Sequence, residues 1–333
     1  MKKYAAYGVG AALVDTEIKV EDSDLQEMGV DKGLMTLVDQ DRQTELINHL
    51  EGHLVKANHA SGGSAGNSMI ATAQFGGPTF MTCKVANDSD GDIYIADLEA
   101  AGVDHCFTGL REDGTTGKCL VMITPDAERS MNTYLGISES LSSEQLDAEA
   151  IARSEYLYVE AYQVTSPTGR AAAIKAREIA EAAGVKTSLS FSDPGMVEFF
   201  RDGIQEMIGE RVNLVFCNED EAKGWAQSDD IDVAVEKLKA VADTFVITLG
   251  ADGALTFDGE TLTRIESQPV NAVDTNGAGD MFAGAFLYAI TRGEDFPTAG
   301  KFASLCAGRI VSQYGPRLKA EEHEELRKAF FGE

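Results

Sequence analysis

Between residues 151 and 257 the chain alternates short apolar runs with amphipathic ones, and few folds satisfy such a pattern. Residues 156–159, 186–191, 212–217 and 244–249 read as strands. Residues 167–183, 196–207, 219–225 and 233–242 read as helices between them, and 254–257 as a returning strand. Gly184 closes the first of these helices. Repeated strand–helix units imply an α/β fold: a mostly parallel sheet with helices on both faces. Ligands of such sheets bind beyond the carboxyl ends of the strands.

The loop with the most chemistry in it is Asp274-Thr275-Asn276-Gly277-Ala278-Gly279-Asp280. It lies between an extended run, 267–273, and a run of small and apolar residues, 281–290, and so reads as strand, glycine turn, helix. The glycines remove side chains where backbone must approach something closely. The first N–H groups of the helix lack intrahelical partners and attract anions. A carboxylate at Asp280 would be repelled by a bound phosphate unless it takes a proton from a hydroxyl that attacks that phosphate. Out of context, the same residues could be only a capped turn.

The front of the chain is more varied. Residues 4–14 read as a central strand. Lys2-Lys3 and the apolar run after them imitate a signal peptide, but the run is short, holds Gly8 and Gly10, and stops at Asp15 without a cleavage pattern. Gly8-Val9-Gly10 opens like a dinucleotide-binding fingerprint, yet Leu13 occupies the third glycine position, and 15–28 reads as short strand and loop instead of the required helix. Strands are expected near 16–20 and 33–38, and Leu46, Ile47, Leu50 and Leu54 give 43–55 helical spacing. Ser61-Gly62-Gly63-Ser64-Ala65-Gly66-Asn67 then leads into a small-residue helix over 68–75. Paired glycines and an amide suit a polyhydroxylated ligand, and equally a plain glycine loop with a helix cap. Strand 79–85 and helix 91–101 follow, then 103–107, 119–123 and 129–134 as a small antiparallel group. The two β-rich regions, 16–38 and 106–135, are expected to meet as a small β lid over a large domain made of 1–15, 39–105 and 136–333.

Two further strand ends carry polar signals. Asn218 and Glu221 share one face of a helix start, where hard oxygens suit Mg²⁺ and where an N-capped acidic turn is equally natural. Thr248-Leu249-Gly250-Ala251-Asp252-Gly253 could let a base or phosphate pass the backbone, or form an ordinary hairpin turn. No Walker A sequence and no protein-kinase set occurs. The tail Glu321-Glu322-His323-Glu324-Glu325 reads as a solvated helix face.

Composition sets the outer limits. A net charge of −27 over 333 residues argues against a nucleic-acid partner and an anionic membrane surface, though not against a nucleotide. No apolar run reaches the ~18 residues of a membrane span. Five cysteines with no CxxC pair favour a reducing cytoplasm, and no zinc site is expected.

Together the motifs resemble the ribokinase-like (PfkB) kinases. Gly62-Gly63 with Asn67, Asn218 with Glu221, Thr248-Leu249-Gly250, and the run Asp274 to Asp280 stand in that family's order and spacing, and the likeness extends from Tyr4 to about Pro316. The resemblance implies a three-layer α/β/α sandwich with a small β-sheet lid. It implies Asp280 as base, Gly277, Ala278 and Gly279 as the anion hole, and Mg²⁺ with ATP, placed through water by Asn218 and Glu221. Thr248, Gly250 and Gly253 would line the ATP site, with Ala303 walling the adenine. Asp15, Gly62, Gly63 and Asn67 would meet sugar hydroxyls, and some members hold K⁺ near the places of Asp274 and Gly315.

Glu128-Arg129-Ser130-Met131-Asn132-Thr133-Tyr134-Leu135-Gly136 looks like the lid of the bacterial adenosine-kinase-like branch. Arg129 would then reach over the phosphates, and Tyr162, after Glu160, would stack on a base at the substrate site. One position departs: that branch commonly carries Asn at the place of Ala11. The expectation is phosphorylation of a ribonucleoside, adenosine first, at its 5′-hydroxyl. The rivals are a free-sugar kinase and a non-catalytic nucleoside-binding protein. A sugar phosphate would want several cations near Gly62-Gly63, where only Lys56 and Lys84 lie nearby in sequence. Either a monomer or a homodimer fits, since lids in the family pack on each other or stay free.

Overall fold

In the computed structural model, residues 2–50, 59–107, 111–126 and 128–332 are described. The strands are β1 (Tyr4–Val9), β2 (Leu13–Lys19), β3 (Met35–Leu37), β4 (His59–Gly62), β5 (Thr79–Thr82), β6 (Val103–His105) and β7 (Gly117–Ile123). They continue as β8 (Arg129–Tyr134), β9 (Ser154–Glu160), β10 (Lys186–Ser190), β11 (Val212–Asn218), β12 (Ala242–Thr248), β13 (Ala254–Phe257) and β14 (Leu262–Ile265). Nine form one sheet in the order β14-β13-β12-β11-β10-β9-β1-β5-β6. It is parallel from β12 to β6, and β13 and β14 add an antiparallel edge.

The two-residue period of a strand explains the layers. Leu157, Val159, Val215 and Cys217 face one side, where they pack with the helices Pro167–Ala182, Pro194–Ile208 and Ile231–Val241. Tyr156, Tyr158, Leu214 and Phe216 face the other, against the helices Ser64–Gln74, Ala278–Thr291 and Phe296–Ile310. This is the expected three-layer sandwich.

The second sheet runs β3-β8-β7-β2-β4. Its outer face buries Ile18, Val20, Leu120 and Met122 beneath Leu25, Met28, Leu46 and Leu50. Those four come from the helices Asp22–Met28 and Gln40–His49 and the residue after the latter.

Several expectations need correction. The apolar run 4–14 is two strands in different sheets, because the chain leaves the large sheet after Val9 and re-forms pairing in the lid at Leu13. Residues read as loop before Met28 include a seven-residue helix, capped by Glu21 and ended by Gly29 at φ 64°. β4 takes up part of the expected Gly62-Gly63 loop and pairs antiparallel with β2, so the lid holds more chain than 16–38 and 106–135. β6 joins the large sheet beside β5 instead of the lid. The lid sheet is mixed, with β2–β7 and β3–β8 parallel. Residues 267–273 are not a strand; β14 precedes them and was not foreseen. The part of the expected helix 43–55 beyond Leu50, and Lys56, lie outside the described residues. The acidic tail does form the helix Ala320–Phe331, and its His323 turns inward, 1% exposed, to meet Phe75 edge-on.

Candidate active site

A cleft of about 830 Å³ lies between the lid and the carboxyl ends of the large sheet. Glu160, Ser190, Asn218 and Thr248, each the last or near-last residue of a parallel strand, form its floor. The position follows from topology, since parallel strands present all their carboxyl ends on one edge.

The Asp274–Asp280 run enters this cleft. Gly277 caps the helix Ala278–Thr291 at φ 74°, and a Cβ there would stand 2.3 Å from the Pro316 carbonyl oxygen. Only glycine fits that turn. Gly279 differs: a Cβ added to it meets nothing within 4 Å, so its bareness serves no protein neighbour. Asp274 is fully buried and accepts from the Asn276 N–H and the Gly315 N–H, both at 2.9 Å, which ties the turn to the C-terminal loop. Asp280, in the first helical turn, accepts from Ser64 Oγ at 2.6 Å and from Asn67 Nδ2 at 3.0 Å. Burial pushes its pKa up, while Ser64, Asn67 and Arg129 hold it back. Arg129 reaches across from lid strand β8 and donates to the Thr275 carbonyl at 2.5 Å, so the lid rests on the turn.

On the other side stand Asp15 and the glycine pair. A Cβ at Gly62 would fall 2.1 Å from the Asp15 carboxylate, and one at Gly63, which caps the helix Ser64–Gln74 at φ 89°, would fall 2.4 Å from the Ala11 carbonyl. Asp15 is 5% exposed and receives no hydrogen bond from the described residues. Burial, then the neighbouring Glu17, pushes its pKa up to about 8. Asn67 Oδ1 is likewise buried without a partner. A buried carboxyl that keeps its proton can both donate and accept, and Asn67 Oδ1 can accept, so the two suit ligand hydroxyls.

Other expected residues take different places. Glu160 borders the cleft, but its oxygens accept from the Ala11 N–H at 2.7 Å, the Ala65 N–H at 2.8 Å and Gln163 Nε2 at 3.2 Å, so it braces two loops and presents no free oxygen. Burial lifts it to about 7. Tyr162 lines the cleft and donates from its hydroxyl to the Ser192 carbonyl at 3.2 Å. Asn218 and Glu221 form a reciprocal capping box on the helix Glu219–Ala226, and both line the cleft. Glu221 is lifted to about 8, first by burial. Thr248, Gly250 and Gly253 line the same end, where the hairpin turn between β12 and β13 forms as well. Ala303 must be corrected. It is fully buried in the core, and its helix turns Ser304, Ala307, Gly308 and Val311 to the cleft, a spacing of one helical face. Ser64 was overlooked as a partner of Asp280; its place within the quoted glycine loop was the available signal.

Charge limits what can enter. Among the described residues, Arg129 is the one Lys or Arg on the cleft wall, against seven carboxylates: Asp15, Glu128, Glu160, Asp193, Asp220, Glu221 and Asp280. No cluster of three or more His, Cys, Asp or Glu among them could cage a metal ion. Such a wall fits a cation carried in on phosphates with most of its waters, which is how Mg²⁺ binds.

Comparison with known proteins agrees with this geometry. The family described as pfkB family carbohydrate kinase matches residues 30–323. The crystal structure of adenosine kinase from Sinorhizobium meliloti superposes with a TM-score of 0.92 at 34% identity, covering 98% of this chain and 99% of that one. A probable sugar kinase from Rhizobium etli superposes with a TM-score of 0.93 at 32% identity, covering 99% of both chains. Adenosine kinase of Schizophyllum commune is 27% identical over 348 residues, 96% of this chain and 98% of that one.

Proposed function

Because this chain belongs to the pfkB family of carbohydrate kinases and is an ATP-dependent kinase, we propose that it phosphorylates the 5′-hydroxyl of a ribonucleoside, with adenosine the first candidate. One observation carries the reading. Asp280, Ser64 and Asn67 meet at a helix N-terminus beside the open Gly279, so a base, an anion hole and a floor for a hydroxyl share one corner of the cleft.

The hydroxyl oxygen attacks the γ-phosphorus. Its proton passes to Asp280 as the new O–P bond forms, and the bond to the bridging oxygen breaks with its electron pair leaving on ADP. The N–H groups of Gly277 and Gly279 would meet the charge that develops on the moving phosphoryl group, together with that of Ala278, which also donates at 3.3 Å to the Thr275 carbonyl. Asp15 and Asn67 Oδ1 take the ribose hydroxyls. Asn218 and Glu221 would hold Mg²⁺ through water, and the ion would supply neutralising charge to the phosphates of ATP; Asp274 and Gly315 would be the residues near any K⁺. Thr248, Gly250 and Gly253 flank the nucleotide, with Ala307 and Gly308 in the role expected of Ala303. Arg129 answers the phosphates from the lid.

Two features support a nucleoside over a free sugar or a sugar phosphate. The lid face of the cleft is apolar, with Leu13, Met35, Cys119, Met131 and Leu135, which suits a planar base beside Tyr162. With Arg129 the one Lys or Arg on its wall among the described residues, the cleft favours an uncharged acceptor. The free-sugar reading draws on the likeness to the Rhizobium etli protein. A coupled ATP-consumption assay over a panel of nucleosides, ribose and fructose decides between them. Turnover on ribose or fructose above every nucleoside would overturn the nucleoside reading. Tight nucleoside binding with no turnover on any compound would make the chain a binding protein on a kinase scaffold.

A further inference from the structure

We infer that Arg317 and Asp97 form a positioning device for the acceptor side of the cleft, gripping Ser61 where the lid returns to the large domain. Ser61 is 1% exposed at the end of β4. Its N–H and its hydroxyl both donate to Asp97 Oδ2 at 2.9 Å. Its carbonyl accepts from Arg317 Nη2 at 2.7 Å, and the same nitrogen donates to Asp97 Oδ2 at 2.9 Å. Every polar group of Ser61 is therefore held by this pair.

The three residues after Ser61 are those that set the acceptor site. Gly62 lies against the Asp15 carboxylate, Gly63 passes under the Ala11 carbonyl, and Ser64 bonds Asp280. A shift at Ser61 passes directly to both carboxylates. Arg317 is also tied to the phosphate side, since Pro316 packs on Gly277 and the Gly315 N–H bonds Asp274. The strap 315–317 thus joins the anion turn to the acceptor loop. Asp97 sits on the helix Ser89–Ala100, whose N-cap Asp88 holds Thr116 through its N–H at 2.8 Å and its hydroxyl at 2.6 Å. Thr116 immediately precedes lid strand β7. One helix therefore grips the lid at two crossings of the chain, and Arg317 fastens one of them to the catalytic turn.

The pair is partly buried, with side-chain exposures of 16% for Arg317 and 38% for Asp97, so breaking it is expected to lower Tm as well; a pair that only stabilised the fold would leave acceptor KM and Kd unchanged in a folded variant. The inference rests on the acceptor being bound beside Asp15 and Asp280, as proposed above. The experiment measures acceptor and ATP KM, acceptor affinity by calorimetry, and Tm for wild type, Arg317→Gln, Arg317→Lys, Asp97→Asn and the Arg317→Gln/Asp97→Asn double variant. A small misplacement at a reacting centre can cost up to about a hundredfold, so Arg317→Gln is expected to raise acceptor KM and Kd roughly ten- to a hundredfold. ATP KM should stay within about twofold, Arg317→Lys should recover part of the loss, and the double variant should be no worse than the poorer single. Should Arg317→Gln fail to fold, Asp97→Asn, which keeps an oxygen for Ser61 but loses the charge, is judged by the same criteria. Unchanged acceptor KM and Kd in a folded variant, or equal rises for acceptor and ATP, would overturn the inference. Failure of the wild type to bind or turn over any acceptor would instead sink the functional reading beneath it.

Discussion

Asp280 and the glycines before it do different work at the scale of single residues. Asp280→Asn keeps the shape of the side chain and removes its basicity. Positioned acid–base groups contribute typically ~10²–10⁴-fold, so turnover is expected to fall by that order with ATP affinity nearly unchanged. Near-normal turnover would remove Asp280 from the role of base. Gly277 and Gly279 separate structure from function. Gly277→Ala forces a left-handed alanine, costing roughly 1–2 kcal/mol, and drives its Cβ into the Pro316 carbonyl, so Tm should drop. Gly279→Ala meets no protein atom and should leave Tm within a few degrees; with the proposed anion hole at this helix start, its Cβ would crowd the phosphoryl oxygens and activity should collapse. Thermal unfolding and turnover of the two variants, measured side by side, test this contrast. Both glycines were legible in the sequence as a pair. Their different reasons were not, because what surrounds a Cβ position is a tertiary fact.

Among the elements, the lid carries the clearest expectation. Its outer face is not bare: Ile18, Val20, Leu120 and Met122 are buried under Leu25, Met28, Leu46 and Leu50. A sheet whose apolar face is already covered has no need of a second lid, so the chain should run as a monomer in size-exclusion chromatography with light scattering. A concentration-independent dimer would contradict this. The sequence hid this cover. The helix Asp22–Met28 is short and acidic, with two buried residues, Leu25 and Met28, and so gives almost no periodic signal. The strand–helix repeats behind it were easier to read, because three of their four helices, Pro167–Ala182, Pro194–Ile208 and Ile231–Val241, are long enough to show a period. β4 was missed for the opposite reason. Its sequence, His-Ala-Ser-Gly, has no strand preference of its own, and pairing with β2 alone makes it a strand.

At the level of the whole molecule, acidity dominates. Asp15 and Glu221 are held at about 8 and Glu160 at about 7, in each case chiefly by burial. An unfolded carboxyl titrates near ~4, so the folded chain binds these protons more tightly. Their contribution to stability is complete below about pH 4 and is lost as pH rises through 7 and 8. Asp88 and Asp97, held low by their hydrogen-bonding partners despite burial, act the other way and lose their contribution as pH falls. The ligand-free chain should therefore be most stable in mild acid, with Tm falling between about pH 6 and 8.5. Added salt should recover part of that loss by screening a net charge of −27. A Tm that climbs over that range would contradict the assignment of three buried, proton-holding carboxylates. The sequence by itself determined the α/β class, the run from Asp274 to Asp280, the glycine pair and the strand ends that carry Asn218 and Thr248. These are written in local patterns: periodicity, turn chemistry and spacing along one strand or helix. The tertiary structure alone decided that Ala303 faces the core, that Glu160 braces loops, that Ser64 reaches Asp280, and that Arg317 joins Asp97 on Ser61. Those outcomes depend on which groups far apart in the chain arrive at one point with complementary donors and acceptors, and no local pattern records that meeting.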